Sequence, residues 1–101
     1  MRQSGKSYAH PLIVLIAQAN DGMKIRVGVA AGRTVGSAVK RNRAKRLLRE
    51  AVRPLIPSLS SGWDLILIAR PALAVSTLNA TRQALLNLLG RAHLISDHNA
   101  V

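Results

Sequence analysis

Few side chains in this sequence could carry covalent chemistry. The four acids, Asp21, Glu50, Asp64 and Asp97, stand singly and far apart. No neighbouring carboxylates could share two metal ions or divide acid and base duties. His10, His93 and His98 sit at no metal-ligand spacing and read as surface residues. There is no cysteine, so disulfides and thiolate metal sites are excluded. Nothing suggests a Ser-His-Asp triad. We therefore assign no catalytic residue and no metal ligand to the chain. Its chemistry is cationic instead. Between Gly36 and Arg53 lie Lys40, Arg41, Arg43, Lys45, Arg46, Arg49 and Arg53, against the single acid Glu50.

That stretch has helical periodicity. At about 100° per residue, Ala44, Leu47, Leu48, Ala51, Val52 and Leu55 share one face. Asn42, Lys45, Arg46, Arg49 and Arg53 share the opposite one, with Arg43 at its edge. Ser37 is a candidate N-cap, and Pro54 ends the helix. The charges do not serve stability. Lys40 and Arg41 oppose the helix dipole. Lys45, Arg49 and Arg53 repel at four-residue spacing, and Glu50, which can pair with Arg46 or Arg53, cannot neutralise the rest. A solvated face normally mixes signs, so a polyanion that neutralises this one explains it better.

The chain has 101 residues and a net charge of +11, from fifteen Lys and Arg against four Asp and Glu. The length predicts one domain over residues 1–101, with a small core. There is no Phe, one Trp and one Tyr, so that core is aliphatic. The charge points first to nucleic acid and second to an anionic membrane. The apolar run Leu12 to Ala17 is about a third of a membrane span, and no signal peptide is recognisable. The expectation is a cytoplasmic protein with no membrane partner and no obligate protein partner.

The elements that must position the basic helix follow in order. Residues 1–10 read as an extended lead-in. Leu12 to Ala17 is a strand covered on both faces or lining a cleft. Asn20-Asp21-Gly22 is a turn signal, and Lys24 to Ala30 alternates like the second arm of an antiparallel hairpin. Ala31 to Gly36 is a glycine-containing loop that fits neither nucleotide-binding fingerprint, though one RNA phosphate could sit near Arg33 and the helix start. Pro54 to Gly62 is a loop. Trp63 to Ala69 is a third strand, with Trp63 read as a core lid rather than a base-stacking platform. Ser76 or Thr77 caps a last helix, Leu78 to Ala92, and residues 93–101 form a fraying tail. The order is β-β-α-β-α. If the strands flanking the basic helix are parallel, they form a βαβ unit, by default right-handed.

Val35 to Ala51, with its Val-Gly turn, Arg-Asn-Arg segment and following Lys-Arg and Arg-Glu, resembles the signature of the bacterial ribonuclease P protein subunit. Arg26 to Val29 and Asp64 to Arg70 are similar to the strands around that signature, and Gly5-Lys6-Ser7 also fits. The resemblance covers about Gly5 to Ala92. It implies an α/β sandwich with a small mixed sheet, like a ribosomal-protein domain, and a left-handed βαβ crossover in place of the default. It implies a protein that binds a catalytic RNA and the single-stranded 5′ leader of precursor tRNA, so that the complex removes the leader. The RNA and its Mg²⁺ carry that chemistry, and the protein alone is inactive. Arg41, Asn42, Arg43, Lys45, Arg46 and Arg49 match the RNA-facing helix. Arg33 matches the first of a usual Lys-Lys pair, and Val14 and Ile16 match positions lining the leader cleft.

Lys40 and Arg53 extend the cationic face. Its arginines can fork to phosphate, and Asn42 can bond RNA or help hold a hydrated Mg²⁺. The chain also departs from the family pattern. Thr34 stands where a second Lys is common, Ser37 where Asn is common, and Ile16 where an aromatic can occur. The family's N-terminal helix, with its Arg-Leu and Phe residues, is missing from this sequence. The alternative reading is a non-enzymatic RNA-binding protein, such as a ribosomal protein or RNA chaperone.

Overall fold

The computed structural model describes residues 5–95. Asp97, His98 and the first four residues of the lead-in lie outside them. The elements are β1 (Lys6–Ala9), β2 (Ile13–Ala19), β3 (Ile25–Ala31), α1 (Ala38–Val52), β4 (Trp63–Ala69) and α2 (Leu78–Arg91), with short 3₁₀ turns at Arg33–Val35, Arg53–Ser58 and Pro71–Val75. The strands form one four-stranded sheet in the order β1-β2-β4-β3. α1 packs over β3 and β4, α2 over β1 and β2, and the helices touch each other. This is a mixed α/β sandwich of two layers. No helix among the described residues is long and apolar enough to cross a membrane.

The core lies between the layers and is aliphatic. β2 sends Ile13, Leu15 and Ala17 into it, β4 sends Leu65, Leu67 and Ala69, and α2 sends Leu85, Leu88 and Leu89. Each fully buried Leu or Ile contributes about 1.5–3 kcal/mol of transfer free energy. Trp63 is half-buried against this cluster. It pairs with Ala19 and Ile25 on the helix-facing side of the sheet, so it is a lid on the core.

Three local expectations are corrected. The lead-in is extended, but Lys6–Ala9 is a true strand, paired antiparallel with β2. At its end Arg91 Nη1–H donates to the Ala9 carbonyl at 2.9 Å. β2 and β3 do not form a hairpin, because β4 lies between them, antiparallel to β2 and parallel to β3. The turn signal was real: Gly22 N–H donates to Asn20 Oδ1 at 2.8 Å. However, Asn20 N–H bonds the Gly62 carbonyl at 2.9 Å, and Gly62 N–H bonds the Lys24 carbonyl at 3.0 Å. The turn therefore straddles the entry of β4. β4 is apolar from Leu65 to Ala69, and the central place satisfies both its backbone edges.

The third correction concerns the tail. His93 takes a left-handed φ of 58°. Its N–H bonds the Gly90 carbonyl at 3.1 Å, and Leu94 N–H bonds Leu89 at 3.0 Å. This is a Schellman closure of α2. It turns Leu94 into the core at 2 % exposure and brings Ile95 to a bridge with Leu59. Residues 96–101 lie outside the described residues.

Asp64 pins the β2–β3 turn to β4. Its carboxylate accepts from Arg26 Nε–H and Nη2–H, both at 2.8 Å, and from Asn20 Nδ2–H at 2.9 Å. The Arg26 guanidinium, and then the Asn20 amide, hold the Asp64 carboxyl below its ordinary pKa of 3.8. A depressed folded pKa contributes stability that is complete above the unfolded value and is lost as pH falls through the folded one. Melting temperature should therefore fall as the acid range is entered, and Asp64→Asn should flatten that dependence. An unchanged acid limb in the variant would show that the network has no part in it.

Candidate nucleic-acid interface

The basic helix is launched from the end of β3. Val35 closes the 3₁₀ turn and is buried at 4 % exposure, anchoring the turn. Gly36 follows with a φ of 128°, where a Cβ would lie 2.9 Å from Lys40 Cδ. The Val-Gly pair is thus a packing anchor followed by a backbone reversal that favours glycine. Ser37 then caps α1: its Oγ accepts from Lys40 N–H at 3.3 Å. Serine therefore serves as the cap of this helix.

α1 buries Ala44, Leu47, Leu48, Ala51 and Val52. Its polar side is exposed through Lys40, Asn42, Arg46, Arg49, Glu50 and Arg53, while Arg41 and Lys45 are half-buried. Long cationic stems can lie along apolar surface with their heads in water. Asn42, Lys45, Arg46, Arg49, Glu50 and Arg53 enclose an open depression of about 520 Å³. Among the described residues, the one ion pair within 4.0 Å is Arg26–Asp64. Glu50 therefore pairs with neither Arg46 nor Arg53, and the cations of α1 are not neutralised from within.

Arg43 differs from its neighbours. Its Nε–H donates to the Ala74 carbonyl at 2.9 Å and its Nη2–H to the Ser76 carbonyl at 3.1 Å. It joins α1 to the segment just before Thr77, whose side chain caps α2. Sequence reasoning placed Arg43 at the edge of the cationic face and gave no hint of these carbonyl partners, which arrive from 31 and 33 residues away. Arg33 is exposed in the turn that leads into α1.

Val14 and Ile16 lie on the other side of the sheet, half-buried, between the core-facing residues of β2. Their register partners on β4 are Ile68 and Ile66, and Ile66 is 44 % exposed. The two β4 isoleucines escaped the sequence reading, because alternation shows a strand's two faces but not which strand lies beside it. The cationic side of α1 points away from the sheet, so it and this open apolar face do not meet in one site. They are two surfaces on opposite sides of the sheet. Tyr8 pairs with the core residue Leu15, so neither Tyr8 nor Trp63 belongs to the open face.

Comparison with known proteins gives this arrangement a family. A family model described as Ribonuclease P matches residues 1–93. The chain is 44% identical over 92 residues to the ribonuclease P protein component of Symbiobacterium thermophilum, covering 90% of this chain and 80% of that one. It is 40% identical over 96 residues to that of Brevibacillus brevis, covering 94% and 76%. Its fold superposes on the Staphylococcus aureus RNase P protein with a TM-score of 0.79 at 26% identity, covering 91% and 84% of the two chains. The Thermotoga maritima RNase P protein gives 0.76 at 32% identity, covering 86% and 83%. With its cationic crossover helix and its mixed sheet, this chain belongs to the ribonuclease P protein family.

Proposed function

We propose that this protein is the RNA-binding subunit of a ribonuclease P, and that it assists removal of the 5′ leader from precursor tRNA. The observation that carries this reading is α1, whose cationic side stays unneutralised inside the chain. Arg33, Lys40, Arg41, Asn42, Lys45, Arg46, Arg49 and Arg53 then bind the catalytic RNA. An RNA duplex hides its major-groove edges, so they act through phosphate and shape rather than base identity. Displaced counterions make this association fall steeply with salt. The opposite, apolar face floored by Val14 and Ile16 receives the single-stranded leader. Having one surface on each side of the sheet lets the protein touch both RNAs at once.

Among the described residues, no three His, Cys, Asp or Glu side chains come together to hold a metal ion. In this reading the Mg²⁺ that supports phosphodiester hydrolysis is held mainly by the RNA. The protein raises local positive charge and orients the substrate.

Two measurements test the reading. The first is precursor-tRNA cleavage at low Mg²⁺ by a bacterial ribonuclease P RNA, with and without the protein. Correct 5′ cleavage should be stimulated. Binding to any structured RNA with no such stimulation would favour a general RNA-binding protein instead. The second compares single arginines. Arg46→Ala should weaken RNA-subunit binding and lower the salt dependence by about one counterion, with the melting temperature unchanged. Arg43→Ala should instead cost about 1–3 kcal/mol of stability, because two carbonyls lose a charged donor, which lowers the melting temperature by several degrees. Equal melting temperatures for the two variants would show that the Arg43 fork adds no stability.

A further inference from the structure

β3 carries a glycine where a strand has no internal use for one. Gly28 sits at the middle of Ile25–Ala31. Among the described glycines only Gly36 and Gly62 have positive φ, so the backbone at Gly28 is open to any residue. A Cβ built there meets nothing within 4 Å, so no packed neighbour demands the missing side chain. Glycine inside a strand costs stability and contributes no packing; it marks a bulge, a bend or the close approach of a ligand or another backbone, and the unbroken register of β3 with β4 leaves out the bulge.

The neighbours of Gly28 show what kind of ligand fits. Gly28 pairs with Ile66, which pairs with Ile16, so the three form a row across the open face. The next open-face residue of β3, Ala30, is also small and pairs with Ile68. The floor is therefore raised by isoleucines on β4 and drops at β3. β3 is an edge strand, so the low side leads off the sheet. Arg26 stands on the same face of β3 with 71% of its side chain exposed and its guanidinium already paired with Asp64. α1, with its cationic side, packs on the other face of the same strand. An apolar ledge open at one edge, on a chain of net charge +11, suits a polyanion with apolar faces, which is single-stranded RNA. The floor has no aromatic residue, so its contact with bases is tolerant of base identity.

We propose that Gly28 is a specificity-determining clearance. It lets a single-stranded RNA segment lie on Ile16 and Ile66 and leave the sheet over the β3 edge. This deepens the ribonuclease P reading above and rests on it. A side chain at Gly28 would block the path without touching the core.

The test uses the full chain assembled with a bacterial ribonuclease P RNA. Affinity for precursor tRNA with and without a single-stranded 5′ leader is measured for wild type, Gly28→Val and Gly28→Leu, together with the melting temperature of each protein. The expected result is a melting temperature equal to or above wild type, unchanged RNA-subunit binding, and a leader-dependent gain in affinity reduced roughly tenfold. Retention of the full leader-dependent gain by both variants would overturn the clearance while leaving the ribonuclease P reading standing. A clear drop in melting temperature in both would also overturn it, by showing that another part of the chain fills the space. Absence of any leader-dependent gain in the wild type would overturn the leader assignment itself, and the clearance with it.

Discussion

The parallel pairing of β3 with β4 is the constraint on which the rest depends. Parallel neighbours cannot be joined by a tight turn, so the chain must cross a face of the sheet between them. Here the crossing is α1, and it covers β3 and β4 on one side only. Because β4 also pairs with β2, that single strand ties the two ends of the sheet together. α2 follows β4 and covers the β1–β2 half of the same side. One face of the sheet is thus spent on the core, and within the described residues the other stays open.

α1 is held by packing rather than by its charges. Its apolar side fits between the sheet and α2, and the Val35 anchor, the Gly36 reversal and the Ser37 cap set where it begins. The cationic side adds repulsion within the helix and receives no internal ion pair among the described residues. Such an arrangement costs little stability while the side chains stay in water, and a bound polyanion would relieve the repulsion. Arg43 is the exception, since its guanidinium already serves the backbone carbonyls of Ala74 and Ser76. Being arginine, it can fork to two acceptors where lysine offers a point charge, and so one side chain of the basic run belongs to the fold.

The two faces differ in physical character. The α1 side is charged and carries an open depression among its cations, so it suits the phosphates of a folded RNA. The open face is aliphatic and low at its β3 edge, so it suits unpaired bases. In the proposed reading, their separation by the sheet keeps the electrostatic contact with RNA from competing with the apolar one. The Arg26–Asp64–Asn20 network fixes the end of the open face nearest the β2–β3 turn.

Much of this was legible in the sequence. The 3.6-residue period set α1 and its two sides, the Ser37 cap and the Ser76–Thr77 pair marked the helix starts, and the apolar runs marked β2 and β4. These features are local: they follow from periodicity and from the backbone donors at helix ends. Strand order was not legible, since the Asn20–Gly22 turn would serve a hairpin as well as it serves a loop around β4. Lys6–Ala9 has too little apolar character to announce a strand, and becomes one only because β2 offers it an edge. His93 and Leu94 look like a frayed end until the Schellman closure turns Leu94 inward. The sequence by itself determined which residues are cationic, which are apolar and on what period they recur, because those depend only on side-chain chemistry and spacing along the chain. Tertiary structure alone decided that Arg43 faces carbonyls, that Ile66 joins Ile16, and that Gly28 lies on an open ledge. Each of these depends on a partner brought from a distant part of the chain, and side-chain period carries no information about that.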